Sequence, residues 1–159
     1  SKDNTIELPV FRHFIKKANI KDECIIQLRA TTPLVDFNVL NTAIEYFIKN
    51  KDMCTSMRSA YKFSESIFKF LKKEGRFFTG FFNELKGEYY NKCRQCFPDN
   101  YLPNGYVDIL KPEIFMNQNS LHGNKILAFI TDFCPEVDSM DDFEYLQYWY
   151  FKKFSTIHE

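Results

Sequence analysis

The chain has 159 residues, and its 21 Lys and Arg balance its 21 Asp and Glu, so the formal net charge is zero. This length suits one domain with a substantial core, and the balanced charge argues against nucleic acid or an anionic membrane as the main partner. Hydrophobic residues make up 45% of the chain, but no uninterrupted apolar run approaches the roughly 18 residues of a membrane span.

The cysteines indicate the cellular compartment of the protein more clearly than they indicate a redox or metal site. There are five of them, without a repeated spacing, and residues 1–5 are polar and unlike a signal peptide. Both features predict a cytoplasmic protein with reduced thiols. Cys93 and Cys96 form a CxxC motif, which taken alone suggests a redox pair or half of a zinc site. Because zinc needs a second pair and the motif precedes Phe97 and Pro98 in a loop, we expect ordinary thiols there.

The first third of the chain alternates between helix and strand patterns. Apolar side chains at helical spacing predict a helix at 8–18 and another at 37–49. Between them, the apolar run at 24–28 predicts a strand buried on both faces, as in a parallel sheet. A second strand is predicted at 53–57. The order strand, helix, strand then predicts a right-handed parallel crossover.

A Thr-Thr-Pro turn follows the first predicted strand. Pro33 cannot occupy a central strand, so the strand ends before it and polar side chains lie at its carboxyl end. Open α/β sheets bind ligands at this edge. An ordinary corner between a strand and a helix is the alternative interpretation.

The middle of the chain is aromatic. The runs 67–71 and 77–82 flank a loop that contains Gly75, which predicts a long hairpin. Exposed phenylalanines on a projecting hairpin are an aggregation hazard unless another chain covers them. We therefore interpret 58–102 as a dimerisation arm inserted into a single domain, 1–159. The alternative is a hairpin folded onto its own domain.

The last third completes the predicted α/β domain. It contains predicted strands at 105–110 and 125–130, a short helix at 111–118, and a closing helix at 138–153 with Ser139 as its candidate N-cap. Glu136 and Asp138 stand before this helix, and in an extended segment both carboxylates point the same way. They could share Mg²⁺, which takes one or two protein carboxylates together with water and phosphate. Solvated acids that cap the helix are the alternative.

Six short segments carry a resemblance to a known family. They read DNTIELPVFRHF at 3–14, LRATTPL at 28–34, RQCFP at 94–98, PNGYVDI at 103–109, SLHG at 120–123 and EVDSMDDF at 136–143. In this order they resemble the acylneuraminate cytidylyltransferases, which activate sialic acid and related nonulosonic acids as CMP-sugars. The resemblance extends from residue 3 to about residue 153.

The resemblance implies a Rossmann-like nucleotide-diphospho-sugar transferase fold with a mostly parallel sheet, and a homodimer whose hairpin helps to build the partner's sugar site. It implies transfer of CMP from CTP to a sugar acid, release of pyrophosphate, and Mg²⁺ as cofactor. It assigns the metal to Glu136 and Asp138. It assigns sugar contacts to Arg29, Thr31, Thr32, Lys69, Arg94, Gln95, Asn104, Leu121 and His122.

The chain also departs from the family. The family opens with a strand and a Gly- and basic-rich loop that binds the triphosphate, and these 159 residues contain neither. We therefore expect an N-terminally truncated sheet, which belongs either to a longer enzyme or to a shortened homologue. Glu136 replaces the first aspartate of the metal pair, and Leu121 and His122 replace two aromatics. The alternative function is a non-catalytic sugar-binding or dimerisation module.

Overall fold

The computed structural model of the chain describes residues 7–21 and 23–154. The polar start of the chain and the first four residues of the first family-like segment lie outside the described residues. The helices are α1 (Glu7–Ala18), α2 (Phe37–Asn50), α3 (Pro112–Asn117) and α4 (Met140–Phe154). The strands are β1 (Ile25–Gln27), β2 (Ser56–Lys62), β3 (Leu71–Glu74), β4 (Phe77–Gly80), β5 (Tyr101–Leu110) and β6 (Ile126–Ile130). The predicted α/β class is confirmed, and no helix in the described ranges is both long and apolar enough to cross a membrane.

The central sheet is mixed and has the strand order β1-β5-β2-β6. Strand β2 pairs with β6 in parallel, whereas β5 is antiparallel to both β1 and β2. Strands β1, β2 and β6 therefore share one direction, and β5 runs against them between β1 and β2. The expectation of a mostly parallel ladder fails at β5 because the long excursion after β2 returns the chain like a wide hairpin.

The first strand is less buried than its sequence suggests. Strand β1 has three residues and lies at one edge of the described sheet. Ile25 packs under α1, but Ile26 is 43% exposed. The prediction of a strand buried on both faces was therefore wrong, because in the described sheet β1 pairs with β5 alone and Ile26 has no second strand beside it.

Strand β5 separates two apolar layers. From Val107 to Leu110 its side chains alternate between the two faces of the sheet, while its pairing with β2 shifts register between Arg58 and Ala60. On one face α2 packs, and the buried members of that layer include Ala43, Phe47, Met57, Val107 and Ile109. On the other face α1 and α3 pack, and its buried members are Ile15, Leu110, Ile114 and Phe115.

Two helices begin at side-chain caps. Asp36 accepts a hydrogen bond from the Asn38 N–H at 2.8 Å and so caps α2, while its own N–H donates to the Tyr106 hydroxyl at 2.6 Å. At α4, the Asp142 N–H donates to the Ser139 hydroxyl at 3.2 Å, and that hydroxyl donates to the Asp142 carboxylate at 2.7 Å. The predicted Ser139 cap is therefore confirmed.

An arm of residues 63–100 leaves the sheet after β2 and returns to it at β5. It carries the predicted hairpin, which is confirmed as the separate two-stranded sheet β3–β4. The arm has fewer residues than the predicted range 58–102, because residues 58–62 belong to β2 and residues 101–102 belong to β5. Phe68 stacks on Phe97 inside the arm, with ring centroids 5.1 Å apart, whereas Phe77 and Phe78 at the hairpin are 76% and 69% exposed.

The layer under α1 and α3 gives a test of the fold. Phe115 is fully buried, so we expect Phe115→Ala to lower the free energy of unfolding by about 3–5 kcal/mol, through lost burial and the cavity left behind. Phe37→Ala is the matched control, since Phe37 is 79% exposed, and its effect should stay within about 0.5 kcal/mol. Urea unfolding of both variants makes the comparison, and equal effects would contradict the described core.

Candidate functional site

Several predicted site residues meet over Gly105, near the start of β5. Gly105 has a positive φ of 60°, a conformation that L-residues with a Cβ rarely adopt. A Cβ at this position would lie 2.6 Å from Arg29 Cδ, 2.6 Å from Glu136 Oε1 and 3.2 Å from Thr32 Oγ1. These three side chains therefore share one small volume against bare backbone, which we call the Gly105 corner.

Backbone hydrogen bonds bring the two sides of the corner together. The turn after β1 closes where the Thr32 N–H donates to the Arg29 carbonyl at 3.1 Å. The segment after β6 joins it where the Val137 N–H donates to the Thr31 carbonyl at 2.8 Å. Thr31 thus contributes its backbone, and Glu136 reaches the corner because the residue next to it is fixed there.

The corner contains polar atoms that the protein leaves unpaired. Thr32 is only 2% exposed, and neither its Oγ1 nor the buried Nε of Arg29 makes a hydrogen bond within the described ranges. Arg29 forms an ion pair with Glu7 at 3.6 Å, but both side chains are partly exposed, so this pair is weak. Unpaired buried polar groups are rare in folded proteins, and they are the groups that a ligand can satisfy.

Asn104 supports the corner from inside the fold. It is buried, its Nδ2 donates to Thr131 Oγ1 at 2.7 Å, and its Oδ1 accepts from the Tyr106 N–H at 3.4 Å. The amide therefore ties β5 to the end of β6. This position supports the backbone beside Gly105, and much of the hydrogen-bonding capacity of Asn104 is already used.

A second polar group lies on the same sheet and was not predicted from the sequence. Asp108 on β5 is buried and faces Arg58 on β2, with Arg58 Nε 3.6 Å from Asp108 Oδ1. Burial raises the pKa of Asp108, although Arg58 and Arg29 both act to lower it. Burial also lowers the pKa of His122, whose Nδ1 lies 3.3 Å from Ser56 Oγ. The sequence did contain one signal for this group, since Asp108 is the single acid in the predicted strand 105–110.

The predicted pair Leu121 and His122 divides between two environments. Leu121 packs against the apolar layer under α1 and α3. His122 is half-buried, and its carbonyl accepts a hydrogen bond from the Thr55 hydroxyl at 2.7 Å. The positive charges of Arg58 and Arg29 also act to lower its pKa. Of this pair, the histidine therefore belongs to the polar side of the sheet and the leucine to the core.

The predicted sugar residues of the arm form a separate group. Arg94 and Gln95 line a cavity of about 300 Å³ together with Lys62, Asp99 and other residues at the base of the arm. None of the three side chains of the Gly105 corner lines this cavity. Lys69, the third predicted arm residue, is exposed, and its positive charge acts to lower the pKa of Cys93.

The two predicted metal ligands are exposed carboxylates. Glu136 lies in the corner, while the Asp138 N–H donates to the Asp142 carboxylate at 3.2 Å. Among the residues that the structure describes, no group of three or more His, Cys, Asp or Glu is placed to hold a metal. Two carboxylates suit only a cation that keeps most of its shell as water or ligand oxygen, which is the habit of Mg²⁺.

No family model matches the chain, and no curated protein matches it either. The chemistry of the corner therefore follows from its own residues. Arg29 offers a charged fork that suits a carboxylate, Thr32 offers a hydroxyl, and Glu136 offers an acceptor. Together these groups fit a small ligand that carries both a carboxylate and hydroxyls.

Two glycines with the same backbone conformation test the crowding at the corner. Gly75 has φ of 61° with nothing within 4 Å of an added Cβ, whereas Gly105 has φ of 60° and two contacts at 2.6 Å. We expect Gly75→Ala to lower the unfolding free energy by about 1–2 kcal/mol, from backbone strain alone. Gly105→Ala should cost a further ~1–3 kcal/mol, because Arg29 and Glu136 must move. Equal losses in thermal or urea unfolding would contradict the described corner.

The buried carboxylate gives a test by pH. Because burial raises the pKa of Asp108, the folded state holds that proton more tightly than the unfolded state. Wild-type stability should therefore fall relative to Asp108→Asn as pH rises from about 4 through the raised pKa. Urea unfolding at a series of pH values measures the difference.

A variant with the opposite sign is the control for that series. The hydrogen bond from Ser139 lowers the pKa of Asp142. Wild-type stability should therefore fall relative to Asp142→Asn as pH drops below about 4. If the two variants gave slopes of the same sign, the assigned environment of Asp108 would be wrong.

Proposed function

We propose that this chain is the sugar-binding and dimerising part of a cytoplasmic cytidylyltransferase, which transfers CMP from CTP to a sialic-acid-like nonulosonic acid and releases pyrophosphate. The observation that carries the proposal is the Gly105 corner. There Arg29, Thr32 and Glu136 converge on one glycine, and both Arg29 Nε and Thr32 Oγ1 lack partners in the described ranges. The fold proposed with this function is the Rossmann-like nucleotidyltransferase type.

The corner suits recognition of a sugar acid. A nonulosonic acid presents one carboxylate and several hydroxyls, and Arg29 can bind the carboxylate with two parallel hydrogen bonds. The ion pair with Glu7 is long at 3.6 Å and partly exposed, so a better-placed carboxylate can displace it at little cost. Thr32 adds a hydroxyl that can both donate and accept.

The Mg²⁺ ion proposed with this function would be bound mainly by water and substrate oxygens. Glu136 and Asp138 would hold it, since both are exposed carboxylates beside the corner segment. When bound, Mg²⁺ supplies neutralisation of the negative charge on a triphosphate. The residues of the chain itself position the sugar acid, so their contribution to catalysis is mainly orientation of the reacting hydroxyl.

The arm is proposed to complete the sugar site of a second copy of the chain. Its hairpin exposes large apolar side chains, which a partner chain would bury; they are Phe70, Leu71, Phe77, Phe78 and Phe81. Arg94, Gln95 and Lys69 lie on the same arm and supply the charge that a carboxylate or phosphate requires. A symmetric dimer would place each arm against the partner's corner.

A second candidate is a non-catalytic sugar-binding or dimerisation module. The five glycines are scattered singly through the sequence, so these 159 residues contain no Gly-rich loop that could cradle a triphosphate. Such a module would keep the corner and the arm and lack turnover. The two candidates therefore share their sugar site and differ only in the reaction with CTP.

Calorimetric binding of sialic acid tests the shared site. We expect Arg29→Ala to weaken binding at least about tenfold, because a bidentate charged contact is lost. Lys49→Ala removes the same charge from an exposed position on α2 and should leave binding unchanged. Arg94→Ala should also weaken binding. If sites form between chains, a mixture refolded from the Arg29→Ala and Arg94→Ala variants should regain about one quarter of all sites.

Turnover then separates the two candidates. Pyrophosphate release from Mg-CTP and a panel of nonulosonic acids is measured for this chain and for the chain extended by any residues that its reading frame encodes before Ser1. Release by either form supports the transferase. Binding without release by both forms supports the module, and the absence of any sugar-acid binding would contradict both.

A further inference from the structure

The two cysteines of the arm form a close and exposed pair. Cys93 Sγ and Cys96 Sγ lie 2.8 Å apart, and both residues are exposed. We propose that Cys93 and Cys96 form a reversible dithiol–disulfide couple, a modification site that low-molecular-mass disulfides oxidise and thiols reduce. The ordinary loop expected from the sequence is therefore reinterpreted as a redox site.

The local backbone already has the shape that a disulfide needs. Residues Arg94–Cys96 form one turn of 3₁₀ helix, and the Cys96 N–H donates to the Cys93 carbonyl at 3.0 Å. Side chains three residues apart eclipse one another in this helix, so the two sulfurs lie on the same side of the turn. A disulfide has an S–S distance of about 2.04 Å. The sulfurs therefore need to approach by less than an ångström, and the turn need not open.

The two thiols are not equivalent. The hydrogen bond from Cys96 lowers the pKa of Cys93, and the positive charge of Lys69 acts in the same direction. The same hydrogen bond raises the pKa of Cys96, although Lys92 opposes that effect. Cys93 is therefore the more readily ionised thiol of the pair.

The exchange balances with a small disulfide, R–S–S–R, as the oxidant. The Cys93 thiolate attacks one sulfur, a mixed disulfide forms at Cys93, and one RS⁻ leaves. Cys96 then loses its proton to solvent and attacks Cys93 Sγ, which releases the second RS⁻. Two protein thiols are thus oxidised to one disulfide, and R–S–S–R is reduced to two thiols.

The surroundings favour redox chemistry over a metal. In the described ranges no third His, Cys, Asp or Glu joins this pair to form a metal-binding group. Of the other cysteines, Cys54 and Cys134 are buried, whereas Cys24 is exposed. A pair of sulfur ligands alone does not complete the four-coordinate shell of a structural zinc.

The two cysteines flank residues that line the cavity at the base of the arm. Arg94 and Gln95 lie between the two cysteines and line the cavity, and Phe97 and Pro98 follow directly and line it too. A disulfide would hold the backbone on both sides of Arg94 in one conformation. An effect of oxidation on sugar-acid binding rests on the proposed function, whereas the redox couple itself does not.

Thiol trapping tests the couple directly. The reduced chain is equilibrated with glutathione at a series of oxidised-to-reduced ratios, quenched with acid, alkylated, and examined by intact mass and peptide mapping. We expect the chain to lose the mass of two hydrogen atoms reversibly, with the bond mapped to Cys93 and Cys96. Cys24→Ser should leave this transition unchanged.

Single variants test the resolving step. With oxidised glutathione, Cys96→Ser should accumulate a mixed disulfide at Cys93, which the wild-type chain resolves by attack of Cys96. Retention of both thiols in excess oxidised glutathione, or a stable glutathione adduct on the wild-type pair, would overturn the proposal. So would a disulfide to a different cysteine. Each of these readouts is independent of sugar binding and of turnover.

Discussion

The position of β5 between β1 and β2 is the constraint on which the rest of the structure depends. Because its side chains alternate, β5 supplies Val107 and Ile109 to the layer under α2 and Leu110 to the layer under α1 and α3. Its first half carries Asn104 and Gly105. The strand that holds the two layers together therefore also provides the bare backbone over which the Gly105 corner forms.

The charged residues beside this strand give the site its electrostatic character. Asp108 is buried with Arg58 as its ion-pair partner at 3.6 Å, a long contact that repays only part of the cost of burying a carboxylate. The positive charges of Arg29 and Arg58 act to lower the pKa values of both Asp108 and His122. Three carboxylates lie near the two arginines: Glu7 pairs with Arg29, Asp108 pairs with Arg58, and Glu136 lies in the Gly105 corner.

The sequence predicted local features better than distant ones. Helices α1, α2 and α4 were predicted within a few residues, because apolar periodicity and the Ser139 cap act over one or two turns. The edge position of β1 and the reversed direction of β5 depend on pairing between distant segments, which periodicity does not encode. The contact of Arg58 with Asp108 was missed for the same reason. Meanwhile the residues of the Gly105 corner were selected by family resemblance, since nothing in their spacing brings them together.

The arm and the corner are connected through aromatic rings. Tyr61, near the end of β2, packs edge-on against Phe63 at the base of the arm and against Phe133 after β6, with ring centroids 6.2 and 5.2 Å apart. Burial raises the pKa of Tyr61, and the charge of Glu136 adds to this effect, which places the tyrosine beside the corner segment. A change in the arm therefore has a packed route to the loop that carries Glu136. Because close-packed contacts transmit small displacements, a shift of Phe63 at the base of the arm would reach Phe133 through Tyr61.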